Sequence, residues 1–284
     1  MFVEKFKSEK KQKLFDLIQG ECYSISYAKF QKLLRNKDVK VNGLRVSENL
    51  YLEVGDEIVL YLKEKPNDTL SVCYEDDNII VVFKPRQIET VSDDERESLL
   101  KLVSNKIGQE SFAVHRLDRN TQGLVVFAKN QKAKFELDQV FKNRLIDKFY
   151  HAWVYGVFDK ENYKLDAYLK KDSKKSLVMV SNERLRGYDK ITTEFKVLKQ
   201  NEDDAIILVK LVTGKTHQIR AHMAHIGHFV IGDEKYGISE INKMYKKKFQ
   251  CLCASKIIFH FKEGVLKYLD GKIIELDKSM IEFL

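Results

Sequence analysis

The first feature of the sequence that could support chemistry is an aspartate between two arginines. Asp118 lies between Arg116 and Arg119, and a glycine and an apolar run at residues 124–128 follow it. Nearby guanidinium groups keep a carboxylate ionised at neutral pH, because an opposite charge within a few ångströms lowers the pKa of an acid. An ionised carboxylate beside a rigid strand is suited to act as a nucleophile. The alternative is a surface salt bridge on a loop.

The residues around Asp118 also form a recognisable string. Residues 115–124 read His-Arg-Leu-Asp-Arg-Asn-Thr-Gln-Gly-Leu. The string resembles the signature His-Arg-Leu-Asp-x-x-Thr-Ser-Gly-Leu-Leu of the RluA-type family of RNA pseudouridine synthases, with Gln122 in place of the serine. The resemblance implies that Asp118 is the catalytic aspartate and that Arg116 fills the space left by the target base.

Two further segments resemble motifs of the same family. Residues 148–156 match Lys-x-Tyr-x-Ala-x-Val-x-Gly, which implies that Tyr150 is the active-site tyrosine; the alternative is a core aromatic on a strand. Residues 213–227 match Thr-Gly-Arg-Thr-His-Gln-Ile-Arg-x-His-x-x-x-x-Gly, with Lys215 in place of the first arginine. That match implies that Arg220 forms an ion pair with Asp118, through a planar fork that suits a carboxylate.

The implied reaction breaks the bond between uracil N1 and C1′, turns the base and rejoins it through C5. Nothing is oxidised and no group is imported, so we expect no cofactor. Four histidines near Arg220 suggest a metal site at first, but no glutamate lies between histidines at the required spacing, and the family resemblance implies no metal. We expect these histidines to be buried hydrogen-bonding residues or residues that face RNA. They are His217, His222, His225 and His228.

Composition restricts the partners and the compartment only broadly. The chain has 284 residues, a net charge of +8 and a pI of about 9.0, which favours a polyanionic partner. Charge alone supports RNA, DNA or membrane headgroups about equally. No apolar run approaches the ~20 residues that span a bilayer, and the first residues do not resemble a secretory signal. Four cysteines without a paired motif predict reduced thiols in a cytoplasmic protein, which we expect to be a monomer.

The N-terminal part predicts a small separate domain. Apolar spacing predicts two helices within residues 10–37, and Asn42-Gly43 between alternating apolar residues predicts a hairpin over residues 39–46. This order resembles the alpha-L RNA-binding module, which occurs in a small-subunit ribosomal protein and at the N-terminus of many synthases of this family. The resemblance implies basic side chains that contact phosphates, whereas the alternative is a solvated helix face. The candidates are Lys29, Lys32, Arg35, Lys37 and Lys40.

The predicted architecture is α+β. An alpha-L module at residues 1–65 precedes a catalytic domain at residues 66–284, which has a mixed, mainly antiparallel sheet flanked by helices. The active-site cleft is expected where residues 116–123, 148–152 and 214–222 converge. Residues 86–90 depart from the family motif, so we expect this loop to differ in shape from that of the family and to influence substrate choice.

The expected substrate is structured RNA. Large-subunit ribosomal RNA is favoured by the N-terminal module, and transfer RNA is the alternative. Two other function classes remain open: a non-catalytic RNA-binding or ribosome-assembly factor, and a metal-dependent hydrolase that uses the histidines.

Overall fold

A computed structural model describes residues 2–22, 25, 27–63, 70–92, 98–172 and 177–284 of the chain. Packing divides the chain into two units, residues 1–70 with 92–98 and residues 71–91 with 99–284. The domain boundary predicted between residues 65 and 66 lies in segment 64–69, outside the described residues, so that division remains a prediction. Among the described residues, no helix is both long and apolar enough to cross a bilayer.

The first unit is built from two helices and short antiparallel strands. Its sheet has the order β1-β6-β3-β4, and β2 pairs separately with β5. Buried side chains from both helices and from the sheet form one core, which includes Leu14, Phe30 and Leu60. The elements are β1 (Phe2–Lys7), β2 (Gln12–Lys13), α1 (Leu14–Glu21), α2 (Tyr27–Arg35), β3 (Val39–Val41), β4 (Leu44–Arg45), β5 (Tyr51–Leu52) and β6 (Glu57–Leu62).

The predicted hairpin is confirmed, and its turn explains why. Asn42 has φ +50° and Gly43 has φ +80°, the two left-handed conformations that a type I′ turn requires. Val41 therefore pairs with Leu44 across a two-residue loop. The order of helix, helix and hairpin also agrees with the prediction, whereas an RNA-binding role for this unit remains untested.

The second unit is organised around one large sheet with the order β13-β12-β14-β15-β11-β16-β10-β8-β7. Its helices are α3 (Leu99–Ile107), α4 (Gln131–Lys142), α5 (Gln218–His225) and α6 (Ser239–Met244), and two short 3-10 helices span Lys267–Leu269 and Lys278–Met280. The strands are β7 (Val72–Glu75), β8 (Ile79–Lys84), β9 (Phe112–Ala113), β10 (Gln122–Ala128), β11 (Ile146–Tyr155), β12 (Asn162–Asp172), β13 (Leu177–Ser181), β14 (Asp189–Gln200), β15 (Asp204–Leu211), β16 (Leu252–Phe259) and β17 (Ile273–Glu275).

Strand β10 follows the segment that carries Asp118 and lies between β16 and β8 in the sheet. All seven of its residues are buried, and α4 packs on it through Ala133, Leu137 and Val140. Asn130 begins α4 by accepting a hydrogen bond from the Ala133 amide at 2.9 Å. Most strand pairs are antiparallel and β10 pairs in parallel with β16, so the mainly antiparallel α+β architecture predicted from the sequence is confirmed.

Gly123 makes the parallel contact between β10 and β16 possible. It has φ +123°, and a Cβ added there would lie 2.2 Å from the Ala254 carbonyl oxygen. A side chain at this position would therefore collide with backbone that cannot move without separating the two strands.

Gly123→Ala is expected to destabilise the protein by about 3 kcal/mol or more, because it combines backbone strain with a backbone clash in a packed core. Urea unfolding of the full chain, followed by circular dichroism, measures the effect. Gly271→Ala is the matched control, since Gly271 has φ +70° but no atom within 4 Å of the added Cβ. Only backbone strain of about 1 kcal/mol is expected there. Equal losses for the two variants would contradict the role assigned to Gly123.

Candidate active site

Three segments of the second unit converge on one cavity of about 660 Å³, as the sequence predicts. Residues 114–118, before β10, form one wall. Alternate residues of β11 form a second wall, and residues 211–220, from the end of β15 into the first turn of α5, form the third. Asp118, Tyr150 and Arg220 all line this cavity, although they lie far apart in the sequence.

Asp118 is held on a tight loop but keeps one side of its carboxylate accessible. The Thr121 amide donates to the Asp118 carbonyl at 3.0 Å, which closes the turn before β10. The Asp118 side chain is 25% exposed. Its Oδ2 accepts from Arg220, and no donor among the described residues contacts its Oδ1. One carboxylate oxygen is therefore available to a ligand in the cavity.

Lys84, at the end of β8, fixes the Asp118 loop from behind. Its Nζ donates to the carbonyls of Pro85, Ile88 and Arg119, each at 2.9 Å. Burial lowers the pKa of Lys84 to about 7, and Asp118 offsets part of that shift. The three carbonyls match the three N–H donors of an ammonium group. Segment 86–90, which departs from the family motif, is thereby tied to the loop that carries Asp118.

Arg220 lies between two carboxylates. Its Nη1 donates to Asp118 Oδ2 at 2.8 Å, so the predicted ion pair is present. Arg220 also forms a bidentate salt bridge with Asp233: Nε donates to Oδ2 at 2.6 Å, and Nη2 donates to Oδ1 at 2.8 Å. Burial alone would lower the pKa of Arg220, but the hydrogen bonds and charge of Asp233, together with Asp118, raise it above its usual value. The guanidinium is therefore permanently charged and fixed in orientation.

Tyr236 and His217 complete the surroundings of this ion pair. The Arg220 guanidinium lies over the Tyr236 ring at 5.2 Å from its centroid. The Tyr236 hydroxyl accepts from the Val178 amide at 2.9 Å and lies 2.9 Å from His217 Nδ1. Burial lowers the pKa of His217, although Asp118 opposes this shift from 3.8 Å. The neutral imidazole is therefore favoured near pH 7.

Tyr150 is a buried residue on the cavity side of β11. It is 7% exposed, and its hydroxyl makes no hydrogen bond to any described residue. Burial, with a smaller contribution from Asp118, raises the pKa of Tyr150. The side chain is therefore a neutral phenol near pH 7, and the core-aromatic alternative describes its burial but not its place in the cavity wall.

The predicted RNA-contacting residues lie in different places. Arg116 is exposed and lines the cavity with Asp118. The other candidates belong to the first unit, where Lys29, Lys32, Arg35 and Lys37 are exposed. Lys40 is half-buried, with its Nζ 5.5 Å from the centroid of the Tyr61 ring.

The four histidines near Arg220 do not gather around a common point. No group of three or more potential ligands that could hold a metal occurs in the part of the chain that the structure describes. Burial lowers the pKa of His222 to about 4. Each histidine has its own partner: Tyr236 for His217, Thr193 for His222, Asn182 for His225 and the Tyr155 carbonyl for His228.

Sequence reasoning missed two residues of the site, Asp233 and Lys84. Asp233 belongs to a Gly-Asp-x-x-Tyr-Gly segment that matches the family pattern, but nothing in that segment indicates a fully buried carboxylate. Lys84 ends an apolar strand immediately before a proline, which was a signal for a buried lysine with backbone partners.

Comparisons with known proteins agree with the motifs. A family model described as RNA pseudouridylate synthase matches residues 78–225. An uncharacterised RNA pseudouridine synthase of Mycoplasma capricolum is 31% identical, with 94% of each chain covered. A ribosomal large subunit pseudouridine synthase C of Rickettsia bellii is 29% identical, with 88% of each chain covered. The solved structure of human RNA pseudouridylate synthase domain containing 1 has the same fold, with a TM-score of 0.61 and 23% identity over 72% of this chain and 84% of that one.

Proposed function

Since the chain belongs to the RNA pseudouridylate synthase family, and is therefore an isomerase that acts on RNA, we propose that it converts uridines of large-subunit ribosomal RNA into pseudouridine with Asp118 as the catalytic carboxylate. One observation carries the assignment of Asp118. It is a cavity carboxylate whose Oδ2 is fixed by Arg220 at 2.8 Å while its Oδ1 faces no donor of the described residues.

The reaction needs a carboxylate beside C1′ of the target nucleotide. Asp118 attacks C1′ or assists departure of the base as the bond to N1 breaks. The detached uracil turns within the cavity, and a new bond forms between its C5 and C1′. The hydrogen on C5 leaves as a proton, and N1 gains a proton, so the product is an isomer of the substrate.

Arg220 fixes the orientation of the Asp118 carboxylate and places a positive charge beside it. Its bidentate grip on Asp233 leaves Nη1 as the donor that reaches Asp118. The permanent positive charge faces the Asp118 carboxylate at 2.8 Å, and the buried pair with Asp233 prevents the guanidinium from turning away. Asp233 is thus a positioning residue that acts through Arg220.

Tyr150 offers an aromatic surface to the uracil. Its side chain projects from β11 into the cavity that contains Asp118. Its raised pKa supports a stacking role with a neutral hydroxyl, because a general base would need the phenolate form.

The target uridine must leave its base stack to enter the cavity. Unstacking costs a few kcal/mol of free energy, which contacts in the cavity offset. Arg116 lines the cavity, which supports its proposed role of filling the space that the target base leaves in the RNA. In the first unit, the basic side chains on and after α2 hold the RNA through its phosphates and do not read its sequence. We assign residues 1–65 as this RNA-binding module and residues 66–284 as the catalytic domain.

The ribosomal target is supported by the name of the Rickettsia bellii relative and by the order of elements in the first unit. The test compares ribosomal and transfer RNA from a strain that lacks the gene, using a carbodiimide that marks pseudouridine as a stop for reverse transcriptase. At least one stop in large-subunit RNA should disappear and should return with the wild-type gene but not with Asp118→Ala. Loss of a stop only in transfer RNA would contradict the ribosomal assignment.

A further inference from the structure

A group of cations at the cavity has no counterion among the residues that the structure describes. Lys142 and Arg144 come from the end of α4 and the turn after it, and Lys148 comes from β11; together they form the cationic wall. None of the three has an ion pair or a hydrogen-bond acceptor for its side chain among the described residues. Several lysines elsewhere in the same unit have carboxylate partners, for example Lys129 with Glu75 at 2.9 Å and Lys210 with Asp147 at 2.9 Å.

The two carboxylates that line the cavity, Asp118 and Asp138, are not counterions for the cationic wall, because each already has another cationic partner. Asp138 accepts from Lys134 at 2.7 Å, and Asp118 accepts from Arg220 at 2.8 Å. The cavity surface at this end is therefore positive, and an anion would relieve the repulsion among the three cations.

Lys148 is the best-defined member of the wall. Its Nζ lies 5.8 Å from the centroid of the Phe141 ring, and a Cβ added to Gly214 would lie 3.0 Å from that Nζ. Burial and the charge of Arg144 both lower the pKa of Lys148. A half-buried ammonium without an acceptor gains more from an anion than a solvated surface lysine does.

The position of Lys148 relates the wall to the reaction centre. Lys148 precedes Tyr150 by two residues on β11, so both side chains project to the cavity face, about 7 Å apart along the strand. The cavity volume of about 660 Å³ is typical of sites for drug-sized ligands and exceeds the needs of a uracil ring. A nucleotide stacked on Tyr150 thus has its backbone within reach of the wall.

We propose that the cationic wall of Lys142, Arg144 and Lys148 is a phosphate subsite that binds the RNA backbone next to the target uridine. This inference rests on the proposed function, since it places the target nucleotide at Asp118 and Tyr150. The subsite makes a uridine within an RNA strand the substrate, because the free nucleoside has no phosphate to offer. It belongs to the second unit, whereas the other basic residues predicted to contact phosphates belong to the first.

The test uses Lys148→Gln, Arg144→Gln and the double variant, with transcribed large-subunit RNA labelled with tritium at uridine C5. Each variant should raise KM by about tenfold or more at moderate salt, in excess of any fall in kcat, because a charge-assisted contact is lost. Each lost phosphate contact should also make the slope of log kcat/KM against log salt shallower by about 0.7. Lys148→Arg should restore both values.

Lys160→Gln is the matched control, because Lys160 is exposed in the turn beyond the other end of β11. It should leave KM and the salt slope unchanged. A double variant with the wild-type salt slope, or a loss confined to kcat, would overturn the subsite while the proposed function stands.

Equilibrium binding of the same RNA, measured by its retention with the protein on filters, distinguishes failure of the phosphate subsite from failure of the proposed function. If wild type releases no tritium, the proposed function fails, and the salt slope of equilibrium binding then decides about the wall. A shallower slope for the double variant supports a phosphate subsite, whereas equal slopes overturn it.

Discussion

Asp118→Asn is expected to lower kcat by at least about 10⁴-fold, the scale on which removal of a nucleophile acts. The amide keeps the shape of the carboxylate and can still accept from Arg220 Nη1, so the cavity should persist. It has no charge to direct at C1′, and its nitrogen is a poor nucleophile. Single-turnover measurement on saturating RNA isolates this step from binding.

RNA affinity of Asp118→Asn should stay within about threefold of wild type, since phosphate contacts dominate affinity. Asp138→Asn is the matched control: Asp138 lines the same cavity, but its carboxylate is paired with Lys134 on the surface of α4. Near-normal turnover is expected for that variant. Turnover by Asp118→Asn at the rate of Asp138→Asn would show that Asp118 is not the catalytic carboxylate.

Arg220→Lys is expected to lower kcat/KM by about 10²- to 10³-fold although the charge is unchanged. Arg220 uses three nitrogens at once, two on Asp233 and one on Asp118. A lysine ammonium cannot reproduce this planar arrangement, so one carboxylate loses its partner. Because Asp233 is fully buried, the variant should also lose about 3 kcal/mol of stability, the scale for a disrupted buried ion pair.

Asp233→Asn tests the contact of Arg220 with Asp233 apart from its contact with Asp118. It keeps one acceptor for Arg220 but removes the bidentate grip, so kcat should fall by about tenfold while KM changes little. Lys210→Gln, which breaks the pair with Asp147 outside the cavity, controls for loss of an ion pair in the same unit and should leave kcat unchanged. Full activity of Arg220→Lys would contradict the proposed role of the bidentate geometry.

Local features of the fold could be read from the sequence because they depend on neighbouring residues. Asn42-Gly43 specifies its hairpin through two left-handed conformations, and the spacing of apolar residues specifies α1 and α2. The parallel contact between β10 and β16 could not be predicted in this way. It joins residues about 130 positions apart, and its only local sign is Gly123, which also reads as an ordinary turn glycine.

The site illustrates the same limit. Asp118 and Arg220 are 102 residues apart, and their ion pair was expected from the family resemblance and not from spacing. Asp233 was missed because its burial depends on α5 and on the segment after it meeting in the folded chain. The unpaired state of Lys148 is likewise visible only when the neighbouring elements are in place.

Release of tritium from RNA labelled at uridine C5 is the measurement that tests the central claim most directly. The C5 hydrogen leaves only if the base is rejoined to C1′ through C5. Purified wild type should release tritium from large-subunit RNA, and Asp118→Ala should release none while still binding that RNA. Equal release by the two proteins would contradict the role of Asp118, and no release by wild type from ribosomal or transfer RNA would contradict the proposed reaction.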